Sequence, residues 1–190
     1  MSRSGVVLRE VRPEDAPDLV RLWEEVVPRA SAEQMLVDME LVVDQSLASA
    51  RDRIVVAECD GRLAGAVYLR VGPMSPLHVE PVVQAVSPHV LPEFRRHGVG
   101  RALMDAAVAH AEEKGIGHVA SASLSASREA HRFLARLALA PQAVLRVAPT
   151  QVVRAKLSSR RPARSQTGGR PALGQVLAAR RSQRRQRDLV

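Results

Sequence analysis

Val90-Leu91-Pro92-Glu93-Phe94-Arg95-Arg96-His97-Gly98-Val99-Gly100-Arg101-Ala102-Leu103-Met104 is the stretch that decides the fold. A strand ends, a loop with two glycines follows, and a helix begins. Backbone N–H groups exposed at such a turn point into one small volume, and the helix dipole adds to their pull on an anion. Gly98 and Gly100 carry no Cβ, so a pyrophosphate can approach the main chain closely. Arg95, Arg96 and Arg101 surround that volume with positive charge. The bare pattern R-x-x-G-x-G is also met by a plain strand-to-helix turn with exposed arginines. A Rossmann dinucleotide loop is disfavoured, because it needs G-x-G-x-x-G after the first strand of a βαβ unit and this loop follows about the fourth strand. A Walker loop is excluded by the lack of G-K-[ST].

Upstream, Val6 to Val11 reads as a short strand. Asp15 can cap the next helix, in which Leu19, Leu22, Trp23 and Val26 fall at i, i+3, i+4 and i+7 until Pro28 ends it. Ser31-Ala32-Glu33-Gln34 is a capping box opening a second helix with Met35, Leu36, Met39 and Val42 or Val43 on one side. Arg53 to Cys59 and Leu63 to Val71 form a hairpin around Asp60-Gly61. Gly72 to Pro76 breaks the chain, and Val79 to Leu91 is a further strand with Pro88 near its end, where a proline marks a bulge or parting neighbours. Downstream, Gly98 to Lys114 is helical, with Val99, Leu103, Ala106, Ala107 and His110 facing the core and Gly115 closing it. His118 to Leu124 is a strand. Ser127 to Leu139 is a helix with Ala130, Phe133, Leu134 and Leu137 on its buried side. Val144 to Val147 and Val152 to Leu157 read as two last strands. The order β-α-α-β-β-β-α-β-α-β-β makes an α/β domain over residues 1–157. Residues 158–171 read as a disordered linker, and residues 172–187 as a short basic helix.

Composition narrows the class. The 190 residues are 46% hydrophobic and 25% charged, which suits one soluble domain with an appendage. One Trp, one Tyr and two Phe leave the core to Val, Leu and Ala. They also remove the aromatic platforms that usually hold single-stranded nucleic acid. Cys59 is the only cysteine, so neither an internal disulfide nor a thiolate metal cluster is available. No apolar run suggests a signal peptide or membrane helix, and a cytoplasmic location is expected by default. The net charge of +8 is uneven. Residues 154–190 hold 11 Lys and Arg against one acid, Asp188, while residues 1–153 hold 17 basic against 19 acidic residues. The basic tail, 158–190, is therefore either a solvated extension or an electrostatic tether to nucleic acid or an acidic partner.

With its lead-in Val90-x-Pro92-Glu93-Phe94-Arg95, and with Arg95, Gly98 and Gly100 matching R/Q-x-x-G-x-G/A, the chain resembles the GNAT superfamily of N-acetyltransferases. The element order agrees from about Val6 to Leu157. The resemblance implies a GNAT fold, a central mixed but mostly antiparallel sheet with flanking helices. It implies acetyl-CoA as acyl donor, with no metal. The pantetheine arm would lie beside the fourth strand, bonded to main chain at Val90, His89 and Leu91, where that strand splays from the fifth near Pro88. The pyrophosphate would sit on Arg95, Arg96, His97, Gly98, Val99, Gly100 and Arg101. In the fourth helix the family form N-x-x-A-x-x-F-Y-x-x-x-G-F is met only in part. Ser127 replaces the Asn and is carried over as a cofactor contact; Ala130 and Phe133 match. Leu134 stands where the family's usual general acid, a Tyr, would protonate the departing thiolate.

An acceptor amine must lose a proton before it attacks, since alkylamines titrate near ~10. Family enzymes often keep an acid in the first half of the fourth strand, and Glu80 is the nearest candidate base. By alternation it shares a face with Val82 and Gln84, and Gln84 could bind substrate. Tyr68 could replace the missing acid if its strand aims it at the cleft. The expected activity is acetyl transfer to an amine on a small molecule or a protein, by direct attack. The alternative is an acyl-CoA-binding but catalytically weak domain that senses the cofactor. A homodimer, and a weak nucleic-acid contact through the tail, are further assemblies left open.

Overall fold

The structure, a computed structural model, describes residues 5–24, 31–122 and 127–159. The chain divides into two compact units, Met1–Gln142 and Ala143–Val190.

The first unit is built on five strands in the order β1-β2-β3-β4-β5. These are β1 (Val6–Glu10), β2 (Asp52–Cys59), β3 (Arg62–Ser75), β4 (His78–Val90) and β5 (Val119–Ala122). The first three pairings are antiparallel and the last, β4 with β5, is parallel. The hairpin expected at Asp60-Gly61 is present. Both residues take positive φ, 52° and 73°, as a tight two-residue turn between twisted strands requires.

Helices cover both faces, so β2, β3 and β4 read as apolar on both sides. On one face lie α1 (Ala16–Leu22) and α2 (Ala32–Ala48). There Leu19, Leu22, Trp23, Met39 and Val43 pack on Ile54, Val56 and Ala66. On the other lies α3 (Val99–Glu113), whose Val99, Leu103, Met104 and Ala107 pack on Val55, Ala57, Val67, Leu69, Val83 and Ala85. The period-two alternation along the strands thus feeds two separate cores. Leu134 of α4 (Arg128–Arg136) joins the second. Leu137 does not; it lies beyond the helix end and is exposed.

Several expected caps and ends differ in detail. Ser31 Oγ accepts from Gln34 N–H at 3.2 Å, as the capping box requires, while the Gln34 side chain turns instead to Asp38. Asp15 stands at the N-cap position of α1, but its side chain makes no cap bond. It ends a 3-10 turn, Pro13–Asp15, and is claimed by Arg9, whose two terminal nitrogens donate to its oxygens at 2.7 and 2.8 Å. Arg9 also donates to Glu58, so one guanidinium ties β1 to the turn and to β2. Burial resists ionisation of Asp15, but Arg9 and the Arg12 N–H together hold its carboxyl below the ordinary value. Val26 and Pro28, and residues 123–126 at the end of the fifth strand, lie outside the described residues.

The second unit corrects the sequence reading. Residues 144–147 are not a strand, and Val152 to Leu157 belong to a helix, α5 (Thr150–Ser159). The Pro149 carbonyl accepts from the Val152 and Val153 N–H groups and starts the helical turn. Arg154, Ala155, Lys156 and Leu157 are all strong helix formers, and a helix satisfies its own backbone where a strand needs a neighbour. The basic segment 160–190 lies outside the described residues.

His110, on the inner face of α3, is a buried polar exception. It is 4% exposed, and among the described residues neither ring nitrogen has a hydrogen-bond partner; Glu113 Oε2 stands 3.6 Å from Nδ1. Burial, helped by Arg53 and Lys114 and opposed by Glu113, lowers its pKa below the ordinary 6.5. The unfolded chain therefore binds a proton there at a higher pH than the folded one. Stability is full above the ordinary histidine pKa and falls as pH drops from it towards the folded value. His110→Leu should raise stability at about pH 7.5, on the order of 1 kcal/mol, by removing an unpaired polar ring. It should also flatten the loss as pH falls below the ordinary histidine value of 6.5, as thermal melts of the two proteins would show.

Candidate functional site

Strand β4 changes its register against β3 near its C-terminal end. Ala66 pairs with His89 and Tyr68 with Val86, so Val67 alone opposes the two residues Ser87 and Pro88. This is a β-bulge, and it bends the strand. Ser87 takes φ 48°, a left-handed value costly for any residue but glycine. Pairing with β5 runs over Val83 to Val86 and goes no further among the described residues. The residues that would come next in β5, 123–126, lie outside the described residues, and Pro88 falls within the bulge, where a missing N–H is tolerated. Past the bulge the β3 and β4 backbones come very close. A Cβ on Gly65 would stand 2.5 Å from the His89 carbonyl oxygen, so only glycine fits there without a backbone shift.

Just past the bulge opens a cleft of about 290 Å³. Its floor is Pro88, His89 and Val90 of β4. One wall is the loop and first turn of α3, with Phe94, Arg95, Arg96, Gly98, Val99, Gly100 and Arg101. The opposite wall is α4 and the residue before it, with Ser127, Glu129, Ala130, Phe133, Leu134 and Arg136. The loop has the shape the glycine pattern required. Arg96 and Gly98 both take positive φ, 64° and 88°, and nothing approaches within 4 Å of the position of a Gly98 Cβ. Ala102 makes the first intrahelical bond, to the Gly98 carbonyl, so the amides of Val99, Gly100 and Arg101 have no partner within the helix. A Cβ on Gly100 would meet Phe133 and Val90 at ordinary contact distances, 3.6 and 3.8 Å. The helix N-terminus and the guanidinium groups give this end of the cleft a positive field. Glu129 tempers it, meeting Arg95 at 3.3 Å. A basic recess lined by Arg96, Arg132 and Arg136, again with Glu129, adjoins the cleft.

The residues singled out in the sequence fall into two groups. His89, Val90, Arg95, Arg96, Gly98, Val99, Gly100, Arg101 and Ser127 all line the cleft. Leu91 does not; it donates its N–H to Ala64 and packs towards α1 and α2. His97 stands outside the lining, its Nδ1 2.9 Å from the Arg95 carbonyl oxygen. Ser127 accepts from the Ala130 N–H and caps α4. Glu80 and Gln84 lie elsewhere. Glu80 is 3.5 Å from His118 Nδ1, and Gln84 donates to the Pro73 carbonyl. Glu80 lies seven positions from Ser87 along β4, about 23 Å at ~3.3 Å per residue, and neither it nor Gln84 lines the cleft. Tyr68 packs on the α1 and α2 side, away from the cleft, and burial beside Asp52 raises its pKa. It does not take the place of the missing acid. Phe94, Glu129 and Arg136 line the cleft unforeseen, since nothing in spacing alone brings α4 against this loop. Among the described residues no three His, Cys, Asp or Glu side chains converge as a metal site would need, and no helix is long and apolar enough to cross a membrane.

Comparison with known proteins agrees with this geometry. No curated protein matches the chain by sequence. Among solved structures, a transcriptional regulator from Bacillus halodurans C-125 superposes with TM-score 0.65 at 18% identity, over 76% of this chain and 100% of its own. The aminoglycoside N-acetyltransferase AAC(6′)-Iy in complex with CoA gives 0.61 at 20% identity, over 77% and 96%. A ribosomal-protein-alanine N-acetyltransferase from Brucella melitensis biovar Abortus 2308 gives 0.57 at 19%, over 76% and 99%. At such identities these likenesses speak for the fold. The sequence model of the Acetyltransferase (GNAT) family matches residues 17–138, from α1 through the cleft to the end of α4, and the chain belongs to that family.

Proposed function

We propose that the chain transfers an acetyl group from acetyl-CoA to an amine, by direct attack of the amine on the thioester. The observation that carries this is the conjunction of a bulged strand edge and an anion seat in one cleft. Pro88 to Val90 line that cleft just past the bulge, and their main chain suits the amides of a pantetheine arm. The Gly98–Arg101 turn, with Arg95 and Arg96, suits a pyrophosphate. A nitrogen–carbon bond forms as the carbon–sulfur bond breaks, and main-chain N–H near Val90 stabilises the oxyanion. Leu134 is buried and has no proton to give, so the thiolate takes its proton from solvent. His89 is the one titratable side chain on the β4 segment that lines the cleft, and it replaces Glu80 as the group to receive the amine's proton. Structural relatives named for aminoglycoside and for ribosomal-protein acetylation support an amine acceptor, small or protein-borne.

Leu134 also favours a second reading, an acyl-CoA sensor with little turnover. Single-turnover thioester cleavage against a panel of amines separates the two. Cofactor binding is common to both. Saturating acetyl-CoA should raise the melting temperature, because it binds only the folded chain. Gly98→Trp should weaken that binding by more than about tenfold by filling the anion seat. Flat calorimetric titrations of the native protein would remove both readings.

The proton step has its own test. Glu80→Gln should leave the pH–rate profile within about twofold of the native one, whereas His89→Gln should lower turnover most near neutrality and less as pH rises and more amine is uncharged. A large loss in the Glu80 variant alone would reverse the assignment. The tail is proposed to be dispensable for the cleft. Truncation after Ser159, where α5 ends, should retain acetyl-CoA binding and abolish only the salt-sensitive association with DNA or RNA that Arg180, Arg181, Arg184, Arg185 and Arg187 would give. Filter binding across a salt series, with melts in acetyl-CoA, reads both.

A further inference from the structure

The bulge that opens the cleft has an outside support. Ser87 is not glycine, precedes a proline and holds φ 48°. A residue before proline is already restricted, and a left-handed one is doubly disfavoured. Such a backbone persists only where its surroundings over-determine it. The Ser87 carbonyl accepts a hydrogen bond from the indole Nε1–H of Trp23 at 2.9 Å, across 64 positions of sequence. Trp23 closes the C-terminal end of α1 and is 6% exposed, packed among Leu19, Leu22 and Val43. A buried indole with its one donor satisfied is a rigid strut. Its bond ends on the residue immediately before Pro88, His89 and Val90, which form the cleft floor. On the other side Gly65 admits the His89 carbonyl at a distance no side chain would allow. The strand edge is therefore fixed between a donor at the end of α1 that holds the Ser87 carbonyl and a β3 backbone that yields room.

We infer that Trp23 is a positioning residue: its indole N–H holds the Ser87-Pro88 bulge in the conformation that presents the 88–90 edge to the pantetheine arm. This rests on the acyl-CoA reading of the cleft. It assigns the arm's binding, and not the phosphates', to a residue on the opposite face of the sheet that touches no ligand. It also makes Trp23 a built-in reporter, because it is the only tryptophan in the chain.

The test uses the full chain and Trp23→Phe, which keeps an aromatic ring and deletes the donor. Calorimetry with acetyl-CoA should show affinity reduced roughly five- to tenfold in the variant, the worth of one hydrogen bond. Affinity for adenosine 3′,5′-bisphosphate, which lacks the arm, should be unchanged. General destabilisation would weaken both ligands alike, and that result overturns the inference, as does an unchanged affinity for acetyl-CoA. A second measurement needs no ligand and no variant. The single indole N–H resonance of the native protein should exchange with solvent far more slowly than a free indole, and exchange at the unprotected rate overturns the inference outright. Failure of the native chain to bind acetyl-CoA, with the indole protected, overturns the functional reading and with it the positioning role, while leaving the strut itself demonstrated.

Discussion

The bulge in β4 is the constraint around which the cleft is built. Three features make it. Two residues stand opposite Val67 and bend the strand. Pro88 brings no donor to the ladder at that point. Ser87 takes a left-handed conformation, and its carbonyl accepts from the Trp23 indole. The edge just past it is the floor of the cleft. Every other element can be understood by what it does around that edge: α1 braces it from one face, β3 approaches it closely at Gly65, and α3 starts from just beyond it.

The electrostatics of the cleft follow from where α3 begins. A strand turning into a helix within a few residues must leave the first helical amides unpaired, and the glycine at φ 88° lets the turn happen without a side chain in the way. Arginines at 95, 96, 101 and 136 collect the field of the helix N-terminus into one volume. Glu129 sets a limit on it by holding Arg95 when nothing else does. An arriving anion must compete with that carboxylate, and part of its affinity is spent on displacing it. The chain's overall charge of +8 is a poor guide to this site, since the excess lies in the tail.

Local chemistry was legible in the sequence and long-range arrangement was not. The loop at Arg95–Gly100 announces itself because glycine and arginine at that spacing do something only a strand-to-helix turn can use. The hairpin at Asp60-Gly61 and the apolar faces of α1, α2 and α3 were readable for the same local reason. Pro88 gave away the bulge but not its support, because no spacing rule connects Trp23 with Ser87. Glu80 was carried over from the family's habit of an acid early in the fourth strand, and a position along a strand says nothing of its distance from the cleft. Val152 to Leu157 was read as a strand, although Arg154, Ala155, Lys156 and Leu157 favour a helix, which is what forms. Glu129 and Arg136 could not be placed at all until α4 was seen against the loop.

A crystal structure of the full chain grown with CoA tests the central claim most directly. The account predicts density for the pantetheine arm along residues 88–90, in hydrogen-bonding range of the Val90 main chain, with the pyrophosphate on the amides of residues 98–101. It further predicts that Glu129 has left Arg95. Density for CoA elsewhere on the molecule, or a β4 edge paired by protein while the ligand lies outside the cleft, would contradict it.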